Sequence, residues 1–371
     1  MFGALRNGWG AFRNRLLAQP AFQRWAADFP FTRPIAHQRT AALFDLVAGF
    51  VYSQTLLACV QLRALETLAE GPQAKASLAS AWAMPEESAL RLLRAAAALG
   101  LAEERSDGVF ALGASGAALL GSPGLRDMIA HHGLVYADLV DPVGLLRAGG
   151  AAKGLSSFWP YAVSADAEQS APEAVSPYSA LMAATQPGVA ADVLAAYDVR
   201  RHRRLLDVGG GEGVFAAAAA RAAPALEVAV FDLPAVAARA EARFAEQGLA
   251  PRAQAYGGDF LAGRLPEGHD VITLVRILHD HSDAGVGAIL SRICEALAPG
   301  GCLVIAEPMS AAPKPDPVSD AYFGLYLLAM GRGRARRPAE LKAFLREAGF
   351  RRFAMPATRT PSLLRVLVAR L

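Results

Sequence analysis

A chain of 371 residues is longer than one ordinary core needs, so two domains are expected. Hydrophobic residues make up 53% and charged residues 19%, which excludes disorder and leaves ample material for a large buried core. A formal net charge of +3 gives no case for nucleic acid as the main partner.

Residues 1–40 read as a basic, aromatic arm. Arg6, Arg13, Arg15, Arg24, Arg33 and Arg39 interleave with Phe2, Trp9, Phe12, Phe22, Trp25, Phe29 and Phe31, against one acid, Asp28. Such a segment suits a helix lying in the headgroup layer of a membrane, or one packed on a partner subunit. The compact apolar core of a secretory signal is missing, and Cys59, Cys294 and Cys302 stand scattered in apolar runs. With an odd count and no metal-ligand spacing, they predict neither a disulfide framework nor a metal site, and a cytoplasmic location is expected. The longest uncharged stretch, Leu46–Leu62, is borderline for a membrane span and reads as a buried interface helix.

Residues 41–135 read as a mainly α, winged-helix-like domain. Thr40–Glu70 is apolar nearly throughout, Pro85–Leu99 carries the stripe Leu90, Leu93 and Ala97, and GLAEERSDGVFALG predicts two short strands around Ser106-Asp107-Gly108. These helices are too apolar and too poor in Lys and Arg for a DNA face, so dimerisation is the expected role. His131 and His132 are adjacent, and neighbours on a helix point apart, which speaks against a metal pair. Residues 136–177, rich in Gly, Pro, Ser and Ala, read as a connector with a short helix or two.

Residues 178–371 change rhythm. RRLLDVGGG, LEVAVFDLP, PRAQAYGGDF, HDVITLVRIL and GCLVIAEPM read as strands, with crossover helices at Ala216–Ala223, Ala235–Gln247 and Ala284–Ala298. An amphipathic helix, Ala339–Ala348, and an apolar strand, Leu363–Leu371, close the chain. That alternation predicts an α/β fold with a doubly wound, Rossmann-like sheet.

The chemistry-bearing residues fall at strand ends. LLDVGGGEG runs a buried strand into a glycine turn and a helix, where main-chain amides can approach a ligand. Asp232 ends the next strand and can accept both hydroxyls of a ribose. Both features fit a nicotinamide dinucleotide as well. Asp259 and Phe260, in GGDF, separate the two cofactors, because an acid beside an aromatic ring suits an adenine. In LVRILHDHSD, His279 and Asp280 stand where the sheet opens, and a histidine there is a candidate general base.

In order and spacing, DVGGGEG, FDLP, GGDF, LHDHSDA, LAPGG and AEPM resemble the caffeate and acetylserotonin type of O-methyltransferases, over most of the chain. The resemblance implies S-adenosyl-L-methionine as cofactor, bound by Gly209, Gly211, Asp232, Asp259 and Phe260. It implies His279 as catalytic base, with Glu307 orienting its ring and Asp280 beside it. Tyr178 and Met182, in PYSALMAAT, match a family aromatic and methionine that close over the reactive methyl, and Arg276 matches a cofactor contact of bacterial members. Two departures stand out: Ala335 falls where plant members carry a second orienting glutamate, and His281, expected at the surface or pocket rim, replaces a tryptophan. AQPAFQRWAADFPFTRPIA, LFDLVAGFVYSQTLLACVQLR and GLYLLAMGRGRARRPAEL are similar to the carotenoid methylases of purple phototrophs, of the demethylspheroidene and hydroxyneurosporene type. That branch implies a homodimer acting on a hydrophobic carotenoid hydroxyl, with peripheral contact at the inner, photosynthetic membrane. The rival readings are C-methylation of a bacteriochlorophyll-type ring, O-methylation of another secondary metabolite, a nicotinamide oxidoreductase, and a DNA-binding regulator with a degenerate methylase domain.

Overall fold

The structure, a computed structural model, describes residues 2–150, 153–158, 172–310 and 314–371; the side chains of residues 2–7, 123, 153, 158 and 172–179 lie outside the described set. The chain divides into two compact units, Met1–Gly121 and Ser122–Leu371.

The first unit holds α1 (Phe2–Leu17), α2 (Pro20–Asp28), α3 (Arg33–Gln61), α4 (Ala64–Ala69), β1 (Gln73–Ala74), α5 (Lys75–Ala81), α6 (Glu86–Ala98), β2 (Ala102–Ser106), β3 (Val109–Leu112) and α7 (Ala114–Leu120). Prolines in the first turn start α2 and α3, where a missing N–H removes no helical bond. The arm expected over 1–40 therefore has no boundary at 40, because α3 already begins at Arg33. The apolar run over 40–70 is two helices, broken at Arg63, whose φ of 52° turns the chain between α3 and α4. On α6 the buried face is Ala89, Leu93 and Ala96, rotated by one residue from the expected Leu90 and Ala97. The wing hairpin β2–β3 gains a third antiparallel strand in the order β1-β3-β2. At two residues, β1 is too short to show a period in the sequence.

Helix α3 is long and apolar enough to cross a membrane by length and composition. Its buried residues, Thr55, Leu57 and Cys59, all lie in its carboxyl half. Leu43, Phe44, Leu46, Val47 and Phe50 are exposed, Leu46 by 81% and Phe50 by 71%. A contiguous apolar face of this kind marks an interface.

The second unit runs α8 (Pro123–Asp138), α9 (Pro142–Arg147), α10 (Lys153–Phe158), α11 (Pro172–Ala196), β4 (Arg204–Val208), α12 (Val214–Ala222), β5 (Glu227–Asp232), α13 (Pro234–Glu246), β6 (Ala253–Gly257), β7 (His269–Val275), α14 (Asp283–Ala296), β8 (Leu297–Glu307), α15 (Phe323–Met330), α16 (Pro338–Glu347), β9 (Arg352–Ala354) and β10 (Arg365–Arg370). The first domain was expected to run to 135. The structure divides the chain at 121–122 instead, because α8 is one helix that packs on α10, α11 and α15.

The sheet has the order β6-β5-β4-β7-β8-β10-β9. Strands β4 to β8 are mutually parallel, and β10 runs antiparallel between β8 and β9. Alternate strand residues face opposite layers. Leu205, Val228, Val271 and Val304 pack with Phe215, Ala219 and Phe244 from α12 and α13. Leu206, Ile272, Leu303 and Ile305 pack with Ile289, Ile293, Leu341 and Leu345 from α14 and α16. Each such side chain, fully buried, contributes about 2 kcal/mol of apolar burial. Strand order reverses beside β4, which opens a crevice at the carboxyl ends of β4 and β7.

Candidate active site

The parallel strands each deliver a residue of the expected site at their carboxyl ends. After β4, Gly209, Gly211 and Gly213 have φ of 69°, 58° and 75°, where glycine alone is free of strain. A Cβ on Gly211 would meet nothing within 4 Å, so the loop is open above it and leaves main-chain amides accessible at the start of α12.

Asp232 ends β5 beside this loop. Its Oδ2 accepts the Gly211 N–H at 2.8 Å and its Oδ1 accepts the Leu233 N–H at 2.8 Å. Burial pushes its carboxyl up to about 6, against the pull of those two hydrogen bonds. A carboxylate offers about four acceptor positions, so two remain for donors from a ligand. Behind it, Asp207 is fully buried and holds the Thr273 hydroxyl at 2.6 Å. After β6, Asp259 Oδ1 accepts the Leu261 N–H at 2.7 Å. The Phe260 ring lies beside Gly209, 3.5 Å from where a Cβ would stand, and meets His281 edge-on at 5.5 Å. His281 is half-buried rather than a surface residue, and burial pulls its pKa to about 4, so the ring is neutral. Open glycine turn, buried acid with spare acceptors and an acid–aromatic pair together fit the ribose and adenine of S-adenosylmethionine.

Arg276 follows β7 with φ at 60°, a strained conformation for a side chain of this kind. Its guanidinium donates to Thr185 Oγ1 at 2.8 Å and to the Met182 carbonyl at 3.1 Å, which ties α11 to the end of β7. Met182 is thereby brought to the crevice. Tyr178 lies on the same helix, with its side chain outside the described residues.

His279 sits in a tight helical turn, Leu278–Asp280, with its side chain 8% exposed. Its Nε2 is 3.2 Å from Asp280 Oδ1 and its Nδ1 is 3.5 Å from Glu307 Oε2. The same Glu307 oxygen accepts the His279 main-chain N–H at 3.1 Å. At 3.5 Å the ring contact is long, and Nδ1 and Glu307 Oε1 have no hydrogen bond among the described residues. Burial pulls the imidazole pKa down, but the two carboxylates outweigh it and leave the pKa raised. Asp280 is itself pushed up to about 6 by burial.

Two residues that the sequence reading passed over hold this turn. Arg336 is fully buried. It donates to the Leu278 and His281 carbonyls, each at 2.7 Å, and to Asp283 Oδ1 at 2.9 and 2.7 Å. Gly333, with φ at 78°, lies against the His279 carbonyl so closely that any side chain would collide with it. The segment that lacks a glutamate at Ala335 thus contributes a guanidinium clamp around the histidine. Replacing Arg336 with methionine strands buried acceptors. We expect turnover to fall by ~10–100-fold and the melting temperature by several degrees, with partial recovery in Arg336→Lys. Steady-state kinetics and thermal melts of the three proteins check this.

The remaining wall is aromatic. Phe323 meets the His279 ring edge-on at 6.4 Å. Tyr322 and Tyr326 stack at 5.7 Å, and each hydroxyl meets a histidine: His132 at 2.8 Å and His131 at 3.1 Å. His131 and His132 diverge on α8 as neighbours must, yet tyrosines one helical turn apart receive both. Burial lowers both pKa values, that of His131 to about 4, so the pairs are neutral. A cleft of about 510 Å³ opens beside them, lined by Ala130, His131, Leu134 and Leu181.

This sheet order with a reversed β10, the glycine turn after β4 and the acids ending β5 and β6 define a Rossmann-like S-adenosylmethionine-dependent methyltransferase. The sequence comparisons agree. The chain matches the O-methyltransferase domain over residues 136–351 and the O-methyltransferase dimerisation domain over 44–122, and it belongs to that family. Demethylspheroidene O-methyltransferase of Cereibacter sphaeroides is 45% identical over 91% of this chain and 88% of its own. The enzyme of the same name from Rhodobacter capsulatus is 41% identical over 92% and 84%. The solved structure of mitomycin 7-O-methyltransferase superposes with a TM-score of 0.75 at 27% identity, covering 91% of this chain and all of that one. The chain is an enzyme of methyl transfer to oxygen, with S-adenosylmethionine as cofactor and a dimerisation domain in front. Family membership sets aside the nicotinamide oxidoreductase reading.

Proposed function

We propose that this enzyme methylates the tertiary hydroxyl of an acyclic carotenoid of the demethylspheroidene or hydroxyneurosporene type. What supports the acceptor is the 45% identity to a demethylspheroidene O-methyltransferase, sustained over 91% of the chain. The aromatic wall of Tyr322, Phe323 and Tyr326 suits a conjugated apolar chain. Such an acceptor resides in the bilayer, so the enzyme works in the cytoplasm against the inner membrane.

In this reading Gly209, Gly211 and Asp232 hold the ribose end of the cofactor, Asp259 and Phe260 the adenine, and Arg276, Met182 and Tyr178 the methionine end. S-adenosylmethionine supplies a sulfonium methyl already activated for displacement. The protein's own task is alignment and proton removal. Glu307 accepts the His279 main-chain N–H and stands 3.5 Å from Nδ1, so it orients the residue, and Nε2 is the nitrogen that takes the hydroxyl proton. Asp280 and Glu307 then flank the imidazolium that forms. A tertiary alcohol is a far weaker acid than imidazolium, so the proton moves late, as the new O–C bond closes. Co-expression with a hydroxycarotenoid pathway tests the acceptor: pigments that gain the mass of one methyl substitution per hydroxyl are expected. Unchanged carotenoids beside a C-methylated chlorin would replace this acceptor with the ring.

We assign the open face of α3 to a second subunit, a reading supported by the dimerisation-domain match over 44–122. Leu46→Glu combined with Phe50→Glu puts two charges into that face, and each desolvated charge costs several kcal/mol. The native protein is expected to be a dimer by light scattering at micromolar concentration, and the double variant a monomer.

A further inference from the structure

We propose that the amino-terminal helices form a docking surface for the face of an anionic lipid bilayer. The inference rests on the membrane-resident acceptor proposed above, and on observations of its own. Along α1, α2 and the turn after α2 the aromatic rings form a pair and a run of four. Trp9 meets Phe12 at 5.9 Å, Phe22 meets Trp25 at 5.5 Å, Trp25 stacks on Phe29 at 5.2 Å, and Phe29 meets Phe31 at 5.6 Å. The spacing of Phe22, Trp25 and Phe29 puts them on one helical face. These rings are not core: Trp9 is 69% exposed, Trp25 51% and Phe31 83%. Within α2 only Ala26 is buried.

Charge selects the occupant. Six arginines against one aspartate give residues 1–40 a formal charge of +5 (6 − 1), while the whole chain carries only +3. Arg13, Arg15, Arg24 and Arg39 are exposed, and none has an ion-pair partner among the described residues. Exposed tryptophan and phenylalanine flanked by arginine suit the boundary between headgroups and acyl chains: rings enter the apolar layer, and guanidinium groups meet lipid phosphates. A second copy of the chain would bring a surface of the same positive sign. The dimerisation match spans 44–122 and begins inside α3, beyond these rings. The open face of α3 serves the dimer, and α1 and α2 are left to the lipid.

The test uses the full-length dimer and sedimentation with vesicles. At low salt the native protein is expected to pellet with phosphatidylglycerol-containing vesicles and stay soluble with pure phosphatidylcholine. Reversing Arg13, Arg15 and Arg24 to glutamate is expected to lower partitioning by at least about a hundredfold. The double substitution Trp9→Ser, Trp25→Ser should weaken it while leaving a dimer by light scattering. All these side chains are exposed, so folding is not at stake, and methylation of a detergent-dispersed hydroxycarotenoid should remain within a few-fold of native. A native protein that ignores anionic vesicles, or variants that bind as well as it does, would overturn the proposal. Variants that fall into monomers would assign the arm to the partner subunit instead. Failure of the native enzyme on the dispersed pigment would sink the acceptor reading without touching vesicle binding.

Discussion

His279→Ala is expected to lower turnover by ~10²–10⁴-fold while S-adenosylmethionine affinity stays within a few-fold. The separation follows from where the residue sits. The glycine turn after β4 and Asp232 at the end of β5 are the proposed cofactor half, and His279 touches neither. Its contacts are Asp280, Glu307 and the Phe323 edge, so its loss removes the proton acceptor and leaves the cofactor cradle whole. The pH dependence has a definite sign. In the proposed mechanism the base works as neutral imidazole, and Asp280 and Glu307 outweigh burial to hold its pKa above the ordinary histidine value. Turnover therefore rises with pH through a midpoint above that value. In Glu307→Gln one raising carboxylate is gone, and the midpoint should move to lower pH with a smaller loss of rate. Stopped-turnover measurements over a pH series, together with calorimetric titration of the cofactor, read both effects. Full turnover without the imidazole would mean that alignment alone suffices, and His279 would lose its assigned part.

Strands β4, β5 and β7 and the end of β8 were legible as apolar runs buried on both faces, while the partly exposed β6 was marked by the glycines that end it, a pattern that neighbouring sequence alone produces. The residues at their carboxyl ends, Gly209, Asp232, Asp259, His279 and Glu307, followed from the same pattern with the family resemblance. Arg336 was not legible. In GRGRARRPAEL it stands among three other arginines, and nothing local distinguishes the one that is fully buried from those facing water. Its role appears only when the loop folds back onto Leu278, His281 and Asp283, more than fifty residues away in the chain. The same holds for His131 and His132. The sequence places them on one helix pointing apart, but their partners Tyr326 and Tyr322 come from α15 and the residue just before it. The division at 121 was missed because α8 carries no break in composition. It belongs to the second unit through packing on α11 and α15, and packing leaves no mark on its own residues.

Asp232→Ala is expected to weaken S-adenosylmethionine binding by at least tenfold, since two charge-assisted hydrogen bonds to ribose are worth about 2–4 kcal/mol. The loss has two parts. The carboxylate offers the acceptor positions that the ribose hydroxyls would use, and it fixes the Gly211 and Leu233 amides at 2.8 Å each, which shapes the loop. Asp232→Asn separates them. It preserves size and one acceptor but loses the charge, so its affinity should fall between native and alanine. Linkage adds a second signature. Burial raises the Asp232 carboxyl to about 6 in the free enzyme, and donors from a ligand stabilise the ionised form. Binding then favours deprotonation, so affinity should fall as pH drops below that value, by up to about tenfold per unit. Asp207, buried behind it with its carboxyl pushed up to about 7, titrates in a neighbouring range and is left in place by both variants. The acidic loss of affinity that disappears in Asp232→Asn therefore belongs to Asp232. Calorimetry over a pH series decides the matter, and native affinity in the alanine variant would move the ribose away from the end of β5.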